Sequence, residues 1–332
     1  MKNKRIYRLL SATPPKAAQE TRSFNAENGS DAETFAAAMF ISACRGEVSW
    51  GSRDQDNSKI DLILSYEHPW FSQEKVIVLS QVKSGASYGE IIEDGVSIKP
   101  RAVESCLRTS HSICLIWVDR KVSKIFWAYL LPGARKGARS YGRHHELTPA
   151  IAFDLARCMA TPSRGPKGGT GITIQEYPSE KLTQRRRHAK EQYRHVNEVV
   201  APTLGNIEFT RLGWRHMFRS SRSKRYKALS LNLIPLLPKI LIRFPSDQAI
   251  IATNYWNYGL YSHRSVEHLL KFSGVAIQDD GGKRRVATVV VRLVEEIRYP
   301  KDWAGRAMLS QNVSRRVVLR SAYYKNQIEG SK

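Results

Sequence analysis

The chain has 332 residues, 42% apolar and 25% charged, and its 53 Lys and Arg against 30 Asp and Glu leave a net charge of +23. This length and apolar content exclude a disordered chain and allow two domains. The charge goes far beyond what solubility requires and calls for a polyanionic partner, nucleic acid ahead of a membrane surface, for which no amphipathic anchor or lipidation signal is apparent.

Residues 1–28 read as a polar N-terminal arm, with Pro14-Pro15 inside it and a short strand at Arg5 to Leu10. Asn28-Gly29-Ser30 then precedes an alanine-rich run, in which Ser30 or Asp31 can cap a helix that ends at Gly46. Glu33 falls in the first turn of that helix, where the helix dipole favours a carboxylate whatever else the residue does. Glu47 to Trp50 forms a short strand, and a polar loop containing Asp54 and Asp56 leads to Asp61.

Two apolar runs follow. Ile60, Leu62 and Leu64 alternate with Asp61, Ile63 and Ser65, and Lys75 to Val82 is rich in β-branched residues, so both are predicted strands separated by the helix-breaking His68-Pro69-Trp70. If the strands are antiparallel neighbours, Asp61 meets Gln81-Val82-Lys83 at one end of the sheet, with Gln81 and Lys83 on a shared face. An acid, an amide and an ammonium then converge. Such a set suits phosphodiester cleavage, because carboxylate and carbonyl oxygens can hold a hard divalent ion while a lysine orients water and offsets phosphoryl charge. The alternative is a buried Asp61–Lys83 ion pair without chemistry.

The arrangement of Glu33, Ile60-Asp61 and Gln81-Val82-Lys83-Ser84 resembles the PD-(D/E)xK nuclease superfamily, in the variant in which glutamine replaces the second acid, as in Mrr-like restriction enzymes and phage-defence nucleases. The resemblance covers the first half of the chain. It implies an α/β fold with a restriction-endonuclease-like core, a mixed sheet flanked by helices. It also implies Mg²⁺ or Mn²⁺ held by Asp61, Gln81 and Glu33, and catalytic roles for those three residues and Lys83. Gln81 departs from relatives that carry a carboxylate there, which lowers the charge of the site and weakens metal binding.

The element order after Lys83 is consistent with that core: a hairpin at Asp94-Gly95, a helix from Pro100 or Arg101 to Ser110, and strands at Ile113 to Val118 and Lys124 to Leu131. His144-His145-Glu146 offers a weaker metal site. Glu146 to Met159 is predicted helical on the fourfold spacing of Leu147, Ile151, Leu155 and Met159. The cysteines Cys44, Cys106, Cys114 and Cys158 lack CxxC spacing and read as core thiols in a reducing cytoplasm. The domain spans residues 29–160, and residues 161–180, opening with a Pro/Gly-rich stretch, form a linker. GPKGGTG within it lacks the GK[ST] of a phosphate-binding loop.

Residues 181–332 are predicted to form a second, basic α+β domain that binds nucleic acid or a partner. Its first helix carries Arg185, Arg186 and Arg187, and the following stretch interleaves Trp214, Phe218 and Tyr226 with Arg215, Arg219, Arg222, Lys224 and Arg225. Arginines grip phosphates and aromatics stack on bases or anchor the core. Asn254 to Arg264 is aromatic, Gly274 to Arg298 a long hairpin, and Val313 to Tyr324 a last strand.

Together these features predict a cytoplasmic Mg²⁺-dependent endonuclease with DNA ahead of RNA as its substrate. By resemblance its setting is restriction or phage defence, with self-assembly or a partner protein of a defence system. The alternative is a nuclease-like protein without catalysis that docks nucleic acid or a partner.

Overall fold

A computed structural model describes residues 21–51, 60–106, 109–132, 140–160, 171–176, 182–196, 198–279, 281–306 and 308–326. The predicted strand at Arg5 to Leu10, the loop acids Asp54 and Asp56, and most of the linker lie outside these residues. The fold is mixed α/β, and no described helix is long and apolar enough to cross a membrane.

Helix α1 runs from Thr21 to Cys44. It starts well before the cap expected at Ser30 or Asp31, so residues 21–28 are helical rather than part of an arm, and Glu33 sits in mid-helix, away from the terminal dipole. A single Gly29 costs a helix only about 1 kcal/mol relative to alanine. Here the buried stripe of Ala32, Ala36, Phe40 and Ala43 anchors the element against the sheet. The chain reverses at Arg45, in left-handed backbone with φ 54°, and Gly46 lies so close to the next strands that a Cβ would come within 2.3 Å of the Ser65 carbonyl oxygen.

The first sheet contains β1 (Glu47–Trp50), β2 (Leu62–Glu67), β3 (Lys75–Ser84), β6 (Ile113–Asp119) and β7 (Lys124–Leu130), side by side in that order. Strands β2 and β3 are antiparallel, with Leu62 opposite Ser80, whereas β3 and β6 are parallel, with Gln81 opposite Leu115. Alternation divides β6 between two cores. Cys114, Ile116 and Val118 join Val76, Val78 and Val82 beneath α1, while Ile113, Leu115 and Trp117 face the other way. That second face is covered by α2 (Pro100–Cys106) and by a small sheet of β4 (Gly89–Ile92), β5 (Gly95–Ile98) and β8 (Ser140–Gly142). Gly95, at φ 143° in the β4–β5 turn, lies close enough to Tyr141 that no side chain could fit.

Helix α3 spans Ile151–Ala160, five residues shorter at its start than predicted. Pro149 disfavours helical backbone at Thr148, so Glu146 and Leu147 instead extend along β7, where the Leu147 amide donates to the Ile125 carbonyl at 2.8 Å. Asp154 and Arg157 on this helix are buried, whereas Met159, expected on the apolar face, is exposed.

In the second half a long antiparallel sheet runs β12 (Asp247–Tyr258), β13 (Tyr261–Gln278), β14 (Arg284–Pro300) and β15 (Ser314–Asn326), with β9 (Thr173–Gln175) parallel to β13. The aromatic stretch Asn254 to Arg264 is thus the tip of the β12–β13 hairpin, turning at Gly259 with φ 55°. Strand β13 begins thirteen residues before the expected hairpin arm at Gly274. Helices α4 (Leu182–His195), α5 (Arg211–Met217), α6 (Lys224–Leu233) and α7 (Leu237–Leu241) supply a core with this sheet, in which Leu231, Leu237 and Ile240 join Phe272, Val289 and Leu319. The short strands β10 (Val199–Ala201) and β11 (Gly205–Ile207) pair beside it.

The halves are not independent solids. Ile297, Tyr299, Trp303 and Leu309 from the second half are buried in the core beneath α1, and the Trp70 indole donates to the Pro202 carbonyl while covering Gly205. At this junction lies a cluster of buried charges. Arg264 binds both oxygens of Asp154 at 2.6 and 2.8 Å, and Arg157 bridges Asp154 and Glu295. Glu295 also accepts from His268 at 3.0 Å and from Arg315 at 2.6 Å. Burial alone would raise the carboxyls of Asp154 and Glu295. The surrounding guanidinium groups outweigh it and hold Asp154 below, and Glu295 well below, the ordinary carboxylate range.

Candidate active site and basic groove

Asp61 immediately precedes β2, and its amide completes the ladder by donating to the Ser80 carbonyl at 2.9 Å. Two residues further along β3 the partner is the Asp61 carboxylate itself: Oδ2 accepts the Val82 amide at 2.7 Å. The same oxygen lies 3.7 Å from Lys83 Nζ, with the two side chains 10% and 19% exposed. Lys83 Nζ also donates to the Val82 carbonyl at 3.0 Å. The carboxylate and ammonium are therefore close and partly reachable by solvent.

Gln81 shares the face of Lys83 but lies deeper. Its side chain is 1% exposed, and its Oε1 accepts the Cys106 thiol of α2 at 3.0 Å. Cys106 was legible only as a core thiol, and its contact with Gln81 carries no sequence signal. Glu33 belongs to the layer on the opposite face of β3. Arg120 Nη2 donates to the Asn28 carbonyl and to Ser84 Oγ, which ties the preceding turn of α1 to the end of β3 just past Lys83. The structure thus brings Asp61 and Lys83 together, with Gln81 buried on the same strand face as Lys83, and carries Glu33 on the helix that covers the opposite face.

Mg²⁺ and Mn²⁺ take hard oxygen donors and commonly use one or two carboxylates completed by water and substrate phosphate. Asp61 and Glu33 fit that chemistry in kind, and the Gln81 amide oxygen fits once it exchanges the weak thiol donor. Among the described residues no three His, Cys, Asp or Glu side chains cluster as a metal site. In the triplet His144-His145-Glu146 the last two residues bond within the fold. Burial, and next the neighbouring His144, push the His145 imidazole down to about 4, so the neutral ring donates from Nδ1 to the Trp127 carbonyl at 2.8 Å. Glu146 pairs with Lys124.

The predicted basic residues divide. Arg186, Arg215 and Arg219 line one groove of about 750 Å³ between α4 and α5. Arg185 turns aside to the Asn232 side chain, and Arg187 pairs loosely with Glu191 one turn on. Lys224 and Arg225 are exposed at the start of α6, outside the groove lining. Arg222 is half-buried, and burial, then the nearby Arg219 and Arg292, lower its pKa. Lys190, Arg194 and Arg211 also line the groove and were missed. Their signal is the spacing of four residues from Arg186 and Arg215, which places Arg186, Lys190 and Arg194 on one face of α4 and Arg211 with Arg215 on one face of α5.

The chain matches no family model, and no curated protein or solved structure is significantly similar to it.

Proposed function

We propose that the protein is a metal-dependent nuclease that hydrolyses phosphodiester bonds of DNA, with Asp61, Gln81, Lys83 and Glu33 as its site on a restriction-endonuclease-like core. The observation that carries this proposal is the 3.7 Å approach of Lys83 Nζ to an Asp61 carboxylate fixed by the Val82 amide, at the open end of a mixed sheet. A bound divalent ion would supply Lewis acidity at the scissile phosphate and lower the pKa of a water. Lys83 presents N–H donors that orient the attacking water and offset charge gathering on the phosphoryl oxygens. Asp61 keeps that ammonium in place, and the Val82 amide fixes the carboxylate. The surplus of cations on the second half holds the substrate backbone. By resemblance, the setting is restriction or phage defence.

The test is incubation with supercoiled, linear and single-stranded DNA and with RNA, each with Mg²⁺, Mn²⁺ or EDTA. Metal-dependent cutting that disappears in Asp61→Ala while binding persists is the expected result. Cutting that survives in both Asp61→Ala and Lys83→Ala would place the chemistry elsewhere in the chain.

One observation favours a second reading, a nucleic-acid-binding protein without catalysis: the Gln81 amide oxygen is turned onto the Cys106 thiol in the core. A wild-type protein that binds but cuts none of the four substrates with either metal is the outcome that reading expects.

A further inference from the structure

A small cleft of about 170 Å³ lies at the seam between the halves. One side of it is a face of the second sheet. Tyr255 on β12 stands directly opposite Arg264 on β13, and Ser262, two positions along β13, belongs to the same face by strand alternation. The first half contributes Arg143 and Glu146 from the segment after β8, and Lys301 enters just beyond β14. The cleft shares no residue with the Asp61 site or with the α4–α5 groove.

Two enclosed donors here are left over. Arg264 is 2% exposed, and its Nη1 and Nη2 both go to Asp154, at 2.6 and 2.8 Å. Asp154 is not a lining residue, so the guanidinium edge left to the cleft is the one that carries Nε–H, and this group has no partner among the described residues. The Tyr255 hydroxyl is likewise enclosed and unpartnered. Buried donors are rarely left unmade, because each has given up its bond to water.

Charge is left over as well. Arg264 is neutralised by Asp154, and the Glu146 carboxylate is taken by Lys124 at 2.9 Å. The Arg143 guanidinium lies over the Tyr255 ring at 4.8 Å, and neither it nor Lys301 forms an ion pair with a described acid. Water would accept from Nε and the hydroxyl but would leave both cations uncompensated.

We propose that this cleft binds a single phosphate group, free or at the end of a small ester. A compact oxyanion answers both features at once: its oxygens accept from Arg264 Nε and Tyr255 Oη, and its charge offsets Arg143 and Lys301. A tetrahedral group presents oxygens in several directions, which suits donors arriving from the sheet and from the segment of the first half, whereas a carboxylate presents two in one plane. The volume is below that of sites that enclose whole drug-sized ligands, so the cleft takes the anionic group and not the body of a larger molecule. The assignment does not depend on whether the Asp61 site cuts.

The test is isothermal titration calorimetry on the full chain in chloride buffer with EDTA, at constant ionic strength. The probes are inorganic phosphate, acetate, and a thymidine dinucleotide with either a 5′-phosphate or a 5′-hydroxyl end. Inorganic phosphate should bind saturably at one site, with Kd on the order of 1 mM or tighter. The exposed pair Arg143→Ala/Lys301→Ala should weaken it by about tenfold or more, and Tyr255→Phe, which keeps the ring beneath Arg143, by about fivefold, provided the thermal transition is retained in both. The groove pair Arg186→Ala/Arg215→Ala should change it by less than about twofold, because those residues are not part of the cleft. No saturable phosphate binding below roughly 10 mM would mean that the cleft holds water only, and would overturn the proposal. Binding that survives the cleft variants, or falls equally with the groove pair, would overturn it too, as adventitious attraction to a basic surface. Acetate that binds as tightly as phosphate would overturn the phosphate assignment. Cleft-dependent binding of the 5′-phosphorylated dinucleotide but not of its 5′-hydroxyl twin supports a phosphate ester as the source, and cleft-dependent binding of inorganic phosphate alone supports the free anion.

Discussion

Two clusters of charge show how differently one chain can treat its arginines. At the junction of the halves Arg157, Arg264 and Arg315 are enclosed with Asp154 and Glu295, and guanidinium nitrogens there lie 2.5–3.2 Å from carboxylate oxygens. In the α4–α5 groove six cations face solvent with no acid among them. The first cluster is electrostatically closed and holds the structure together; the second is open and its charge is uncompensated. The Asp61–Lys83 pair lies between them, paired but still partly exposed. Net charge alone does not distinguish the three, and local compensation does.

The largest effect expected from breaking that contrast is at the closed cluster. Asp154→Ala leaves Arg264 and Arg157 buried without their shared carboxylate and should cost about 3–5 kcal/mol of stability, measured by urea denaturation. A loss below about 1 kcal/mol would show that water enters the junction readily.

Acid titration separates the buried imidazoles from the rest of the charge. His145 has a folded pKa of about 4, below its unfolded value of about 6.5. Its contribution is therefore complete above pH 6.5 and is lost as pH falls to about 4, roughly 3 kcal/mol in all. His144 and His268 are lowered in the same direction, each chiefly by burial, and steepen the fall. Unfolding free energy that stays flat over that window, or a slope unchanged in His145→Gln, would contradict the assignment.

At the intermediate pair, Lys83→Ala should slow cleavage by roughly a hundredfold with little change in DNA affinity. Gln81→Ala should raise the metal concentration needed for cutting, and Gln81→Glu should keep or strengthen metal binding. At the open cluster stability should hardly move. Arg215→Ala should change it by no more than about 0.5 kcal/mol, while the slope of log affinity against log salt drops by roughly one. Removing the exposed Arg187 should do least, since its contact with Glu191 contributes at most about 0.5 kcal/mol.

The same contrast explains what could be seen in the sequence. The convergence of Asp61, Gln81 and Lys83 was legible because strand alternation and one antiparallel pairing decide it locally. Arg186, Arg215 and Arg219 stood out by density, and their groove partners follow from helical spacing. The start of α1 was obscured by Asn28-Gly29-Ser30, a breaker signal that tertiary contacts override. The closed cluster was invisible for a different reason: Asp154 and Arg264 are 110 positions apart, and nothing local specifies that they meet. The Asp154–Arg157 spacing inside an apolar helix was the one trace it left.

Tyr299 and Trp303 reach from one half into the core of the other, and Arg264 holds the Asp154 carboxylate across the same seam. A foreign partner grafted in place of either half would inherit an unfilled hole and a stranded ion together. Neighbouring substitutions along this seam must therefore be inherited as a set. Substitutions on the two sides of the seam should accordingly be non-additive in their effect on stability.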